Sequence, residues 1–331
     1  MNILSLEASG AHITVVALKL PDNAPSKNKF FTQDETLANE SSADKKLADE
    51  TLADETSANE ELAVRVTWST SDTRSLSREL VGRIAQVLEN ADWEMNDVGA
   101  VAVGLGPGSW TSLRVLLATA KTLAQARRWK LCGVPTFDAI ARAAWHGLQR
   151  DPSQCDPSQH DSSRHSALSE GKSSTRLRAE TTEIVEEQAP QTFREGLIVV
   201  ASPSRANEIY SKIWRVKNNN WTVVQSESVQ TPDELVAHLG SDEPILVAGD
   251  ARQAVVELLQ NVTSKNLVWT VEVSPEETAI QIGRLAAHRL AVGESDDPLS
   301  LQPLYVAPSS AERVLEQRNR EQRNREQFAA K

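Results

Sequence analysis

The order of apolar runs predicts an α/β fold built as two similar halves, each opening on three strands and continuing in alternating helices and strands. Three observations carry this reading. Ala100 to Val103 is a short apolar run, the pattern of a strand covered on both faces, and it enters the glycine turn Gly104-Leu105-Gly106-Pro107-Gly108. From Ser109, a good N-cap, nothing breaks a helix before Arg128. After a stretch of low complexity the strand pattern restarts at Leu197.

The chain has 331 residues, enough for two domains, and a net charge of −11. Between Asp34 and Glu61 there are ten acids and two lysines, a local net charge of −8, so the rest is only mildly acidic. This balance argues against a broad nucleic-acid surface. Cys132 and Cys155 are the two cysteines, too few for a disulfide framework or a zinc cluster. Met1 to Glu7 lacks a basic leader and goes straight into a strand-like pattern, and no apolar run is long enough to span a bilayer. A cytoplasmic protein with no membrane partner is the expectation.

Taken in order, 3–8 and 12–18 read as two strands joined at Ser9-Gly10-Ala11, and Leu62 to Trp68 as a third. The long insertion at 21–61 carries a repeat with a period of five, Lys-Leu-Ala-Asp-Glu and its near-copies over 46–60. That period matches neither a helix nor a strand face, so the segment reads as a disordered acidic loop. Leu76, Leu80, Ile84, Val87 and Leu88 give a helical stripe over 75–90. The strand, turn and long helix follow, then a strand at 131–134 and a helix from Pro135 to about Leu148. This closes a first domain, 1–148. Residues 149–192 are a second low-complexity insertion, in which His160 and His165 have no element to fix them as metal ligands.

The second domain is 193–308. It holds a strand at 197–201, a hairpin over 208–225, a helix at 232–239, a strand at 245–248 and a helix at 251–260, for which Asp250 is a candidate cap. A short strand at 268–271, a helix at 275–292 and a final extended segment Pro303-Leu304-Tyr305-Val306 complete it. Three strands followed by alternating helices, occurring twice, is the layout of two RNase H-like halves. Residues 309–331 form a charged tail of Glu-Gln-Arg-Asn-Arg copies with favourable Glu316/Arg320 and Glu321/Arg325 spacings.

The helix after the glycine turn has two apolar sides. Leu113, Leu116, Leu117, Ala120, Leu123 and Ala124 suit a sheet, while Val115, Ala118, Thr119, Thr122 and Ala126 make a second side that is small and uncharged. A neighbouring helix of the same domain, or a partner subunit, would cover that second side. The turn has two readings as well. Its backbone N–H groups suit an anion, but the spacing fits neither G-x-x-x-x-G-K-[ST] nor G-x-G-x-x-G, and a tight strand-to-helix turn explains the same residues.

Several stretches resemble the TsaB (YeaZ) family. Ile3-Leu4-Ser5-Leu6-Glu7-Ala8-Ser9 is similar to its opening I-L-A-I-D-T-S, and Gly106 to Arg114 to its G-P-G-S-F-T-G-L-R. Ala118 to Ala124 and Gly133-Val134-Pro135-Thr136 continue the likeness. Arg205 with Glu208-Ile209-Tyr210, and Pro303 to Val306 with Ala311-Glu312, are similar to its later motifs. The resemblance implies an actin-like, ASKHA-type fold of two RNase H-like domains. It also implies a non-catalytic subunit that pairs with a TsaD-like catalytic subunit and a TsaE-like ATPase to place threonylcarbamoyl on an adenosine of tRNA. ATP and a metal would then belong to the partner complex and tRNA would be met through it, and for the chain alone both a homodimer and a monomer stay open. The docking residues implied are Leu76, Leu80, Arg114, Val115, Ala118, Thr119, Lys121 and Thr122. The chain departs from the family at Glu7 (Asp), Ser112 (Gly), Pro203 (Asp) and near Leu76 (His).

Catalytic residues are not expected. The histidines stand at 12, 146, 160, 165, 238 and 288, and no two have the four-residue spacing of a helical metal pair. There is no Ser-His-Asp context and no carboxylate pair on a shared helix face. The competing class is a stand-alone ASKHA ATPase or phosphotransferase, with Glu7, Ser9, Gly106, Gly108 and Ser109 contacting a nucleotide or other anion.

Overall fold

The computed structural model describes residues 1–8, 12–20, 63–71, 76–149, 193–205, 207–239, 243–262, 268–307 and 318. The acidic repeat, the low-complexity stretch with Cys155, His160 and His165, Ser9 and the tail apart from Arg318 lie outside the described residues.

The first half runs β1 (Asn2–Glu7), β2 (Ile13–Lys19), β3 (Ala63–Thr70), α1 (Leu76–Asn90), β4 (Val98–Gly104), α2 (Trp110–Arg127), β5 (Lys130–Val134) and α3 (Thr136–Gln149). The second half runs β6 (Gly196–Pro203), β7 (Ile209–Lys217), β8 (Asn220–Gln230), α4 (Pro232–His238), β9 (Ile245–Ala248), α5 (Arg252–Val262), β10 (Val268–Val271) and α6 (Pro275–Ala291). Each half makes a five-stranded mixed sheet of the same plan, β3-β2-β1-β4-β5 and β8-β7-β6-β9-β10. The first three strands of each pair antiparallel, and the last two join parallel to the first. The second hairpin is longer than its apolar pattern suggests. Past irregularities in register near Ser211 and Ile213, β8 stays paired as far as Gln230.

Strand alternation decides what faces what. Leu4 and Leu6 of β1, with Val101 and Val103 of β4, face α1 and α2. Ile3 of β1, with Ala100 and Ala102 of β4, faces α6. Alanines on that side let α6 lie close. Ser5 Oγ donates to the Ala279 carbonyl at 2.6 Å, and any side chain at Gly283 would collide with Leu18.

The halves exchange their last helices. α6, late in the chain, buries Ala279, Ile282, Ala286 and Leu290 on the first sheet. α3, from the first half, buries Phe137, Ala141, Ala144 and Trp145 against Ile198, Val200, Trp214 and Leu246 of the second sheet. α4 and α5 cover that sheet's other face through Leu235, Val236, Val255 and Leu259. Packing therefore does not follow the division into residues 1–148 and 193–308, because each sheet borrows a helix from the other half.

A charged lock sits on this exchange. Lys212 Nζ of β7 donates to Asp138 Oδ1 of α3 at 2.7 Å and to Glu227 Oε1 of β8 at 2.8 Å. Burial works against the Lys212 charge, but the two carboxylates more than offset it and hold its pKa above the usual lysine value. One turn along α3 from Asp138, the Arg142 guanidinium lies 4.0 Å from the Trp221 ring centre, and burial pulls its pKa down to about 10. Removing the central cation leaves two carboxylates facing each other in a poorly solvated place. Lys212→Met is therefore expected to lower unfolding free energy by about 3 kcal/mol, read from urea denaturation; a loss below ~0.5 kcal/mol would show that the lock contributes little.

Candidate functional site

The glycine turn is held from inside. Leu105 N–H donates to the Val134 carbonyl (2.9 Å), tying the end of β4 to the end of β5. Gly106 has φ +90°, the left-handed region that glycine occupies without strain, and precedes a cis peptide to Pro107. Its N–H donates to Thr136 Oγ1 at 3.2 Å, and the Thr136 hydroxyl donates to Glu7 Oε2 at 3.2 Å. Glu7 is 4% exposed, and its carboxylate occupies the space a side chain would need at Gly104.

Two residues of the nucleotide-contact reading thus have hydrogen bonds inside the fold. Glu7 is buried and braces the turn through Thr136. The Gly106 N–H is spent on Thr136. Gly108 is half-buried and Ser109 exposed. Ser109 is the residue before α2, but its side chain makes no capping hydrogen bond and instead accepts one from Ser112 Oγ at 3.1 Å. Ser112 thus competes for the cap that the sequence pattern assigns to Ser109. Asp250 is exposed at the matching turn of the second half.

α2 shows the two sides its sequence implies. Leu113, Leu116, Leu117, Ala120 and Ala124 are buried with Ser112. On the other side Ala118, Thr122 and Ala126 are exposed, and Val115, Thr119, Leu123 and Lys121 are half-buried. α1 lies beside α2 on the same face of the sheet and shares its core, yet leaves this side open among the described residues. The two threonine hydroxyls turn inward, Thr119 Oγ1 to the Val115 carbonyl (2.9 Å) and Thr122 Oγ1 to the Ala118 carbonyl (2.8 Å), so their methyl groups complete a small apolar surface. Leu80 is a correction: at 2% exposure it belongs to the core beneath α1, and the outward residue of that turn is Val81, 60% exposed. Leu76 begins α1, and its side chain lies outside the described residues.

The segment after α6 returns to this region, which sequence reasoning saw only as an extended run. Asp296 pairs antiparallel with Leu131. Its carboxylate accepts from both Arg289 terminal nitrogens (2.9 and 3.0 Å) and from the Gly133 N–H (2.7 Å). Leu304 N–H donates to the Leu105 carbonyl at 2.8 Å. Tyr305 then stacks on Trp110, with ring centres 4.2 Å apart. The guanidinium of Arg114 lies 5.3 Å from the centre of the same Trp110 ring. The strap thus joins α6, β5, the glycine turn and the first turn of α2.

Among the described residues no group of three or more His, Cys, Asp or Glu side chains could hold a metal ion, and no helix is long and apolar enough to cross a membrane. The Cys132 thiol is buried, and chiefly for that reason its pKa is pushed up to about 11, which leaves it without thiolate character at neutral pH.

Comparison with known proteins places this geometry. The family model for TsaD, tRNA N6-adenosine threonylcarbamoyltransferase, matches residues 70–211. The Escherichia coli K12 tRNA threonylcarbamoyladenosine biosynthesis protein TsaB is 29% identical over 72 residues, which are 22% of this chain and 31% of that protein. The sequence match therefore spans about a third of the curated relative. YeaZ from Pseudomonas aeruginosa is similar in structure with a TM-score of 0.55 and 14% identity, covering 92% of this chain and 99% of that one. A Pseudomonas aeruginosa protein described as similar to the peptidase YeaZ gives a TM-score of 0.56 and 15% identity over the same shares. The chain thus shares the α/β fold of YeaZ and is similar in sequence to TsaB over those 72 residues.

The inward hydrogen-bond chain from Gly106 through Thr136 to Glu7 makes a structural prediction. Thr136→Val keeps the side-chain shape and removes the shared hydroxyl; it is expected to cost about 2 kcal/mol in unfolding free energy. An unchanged denaturation midpoint would show that the turn holds itself without that hydroxyl.

Proposed function

We propose that this chain is a non-catalytic subunit of a complex that makes threonylcarbamoyladenosine in tRNA, and that α2 is the helix through which it binds a TsaD-like catalytic subunit. The observation that carries the reading is the open small-residue side of α2, where Ala118, Thr122 and Ala126 stand in one row four residues apart and are exposed. Small side chains let another helix approach closely, and the inward-turned threonine hydroxyls spare the contact a desolvation cost.

The carboxylate best placed for an ASKHA phosphate site, Glu7, is engaged with Thr136, and the turn's leading N–H is engaged as well. These engagements favour a supporting role over a stand-alone ATPase. In this reading ATP, its metal and a TsaE-like ATPase act at the partner, tRNA is met through the complex, and the setting is cytoplasmic.

Mixing the chain with the TsaD-like protein of the same organism is expected to give a new 1:1 species by size-exclusion chromatography with light scattering. Ala118→Trp is expected to abolish that species while leaving the thermal transition of the isolated chain in place. Intact association of this variant would rule α2 out as the contact. ATP turnover by the isolated chain that is lost in a Ser109→Ala variant would instead favour the competing enzyme.

A further inference from the structure

The strap after α6, residues 293–307, covers buried structure without being buried itself. Every one of its residues is half-buried or exposed, while Leu131, Cys132 and Val134 of β5 are buried. Leu301 alone of the strap rests on the edge of a core cluster. Directed contacts at two ends hold the rest. At the near end the Asp296 N–H donates to the Leu131 carbonyl at 2.7 Å, and the Asp296 carboxylate accepts from Arg289 and from the Gly133 N–H. At the far end the Leu304 N–H donates to the Leu105 carbonyl, and Tyr305 stacks on Trp110.

The middle of the strap is a turn that satisfies itself. The Asp297 carboxylate accepts from the N–H groups of Leu299 (3.2 Å) and Ser300 (3.0 Å), and the Leu301 N–H returns to the Asp297 carbonyl (3.0 Å). These bonds travel with the strap if it moves. The point of attachment is Gly293, at φ +86°, where an added Cβ would meet nothing within 4 Å. A residue that is free to turn and has no neighbours to disturb is suited to be a hinge. A segment that buries no side chain completely and is held by a few part-exposed hydrogen bonds opens at far lower cost than a sheet.

We propose that the strap is a hinged latch, which opens about Gly293 as one unit while both sheets stay folded, baring the outer edge of β5 at one end and the Leu105 carbonyl and Trp110 ring at the other. The inference concerns the isolated chain and does not rest on the partner reading above. The two ends touch different elements, α6 and β5 against the glycine turn and α2. A latch that opens in one step therefore lets a change at the end of α6 alter what the start of α2 presents.

Two reporters lie under the near end. The Cys132 Sγ is 3.9 Å from the Glu294 carbonyl, and burial pushes its pKa up to about 11, so its reaction passes through an opened state. The Gly133 N–H is tied to the Asp296 carboxylate. The far-end reporter is the Leu304 N–H.

The test uses the full chain carrying Cys155→Ser, which leaves Cys132 as the one thiol. Alkylation by iodoacetamide and amide hydrogen exchange are each measured against an unfolded-chain reference. Protection of Cys132 and of the Gly133 and Leu304 amides is expected to be at least tenfold lower than that of the Leu4 and Leu6 amides in β1. Tyr305→Ala, at the far end, is expected to speed reaction at Cys132 and exchange at Gly133 tenfold or more. Asp296→Ala, at the near end, is expected to do the same to the Leu304 amide, with β1 remaining the slower in both variants. Arg289→Lys keeps the charge and loses the fork, and it serves in place of Asp296→Ala should that variant not fold. Protection at Cys132 and Gly133 equal to that of β1 would mean that the strap leaves only on global unfolding and would overturn the latch. Acceleration confined in each variant to its own end would show fraying instead of one unit and would overturn it as well.

Discussion

The exchange of α3 and α6 is the constraint on which the rest of the molecule depends. A five-stranded sheet has two apolar faces, and each sheet here receives helices for only one of them from its own half. The other face is covered by a helix carried in from the opposite half. Separating the halves would expose both inner faces at once, including Phe137, Trp145, Ile198 and Trp214 on one side and Ile3, Leu18, Ala279 and Ile282 on the other. At roughly 25 cal/mol per Å² of apolar surface, that exposure opposes separation. The Asp138–Lys212–Glu227 lock crosses the same boundary. It adds direction where the apolar contact supplies only attraction, since a slip of α3 along the sheet would strand charges in a poorly solvated place.

Much of this was legible in the sequence because it rests on periodicity. The apolar run at 100–103, the uninterrupted helix after Ser109 and the restart at Leu197 all appear as elements at those places. The buried side of α2 matches the stripe of Leu113, Leu116, Leu117, Ala120 and Ala124. Helix exchange was not legible, because an amphipathic stripe says that a face is covered and not by which sheet. Leu80 shows the limit on a single helix: a stripe residue of α1 belongs equally to a core and to an interface until its neighbours are known. Glu7 shows the limit at the site. A carboxylate at the end of a first strand reads as a ligand contact in an ASKHA-like pattern, and only the packing of Gly104 and Thr136 against it reveals an inward role.

The longer side chain at position 7 has a physical sense. A carboxylate one methylene further from the backbone reaches across to the Thr136 hydroxyl, past a residue with no side chain at Gly104. Three residue types therefore depend on one another. Gly104 makes room, Glu7 fills it, and Thr136 connects it to the Gly106 N–H. The result is a turn with the outline of a phosphate loop whose leading donor and nearest carboxylate are already engaged with each other through one hydroxyl. The strap adds a second restraint from outside, through Leu304 on the Leu105 carbonyl.

Both restraints act on the start of α2, and this links the fold to the surface the helix offers. The turn sets where α2 begins, the sheet sets the side it buries, and the strap sets the position of Tyr305 against Trp110. Arg289 and Asp296 tie that strap to Gly133 through a forked ion pair, so α6 is coupled to the aromatic stack through fixed hydrogen bonds. The helix that the exchange delivers to the first sheet is thus also the one that anchors the strap beside α2. A chain organised in this way holds one helix surface in a fixed shape, since α2 cannot shift without disturbing the turn.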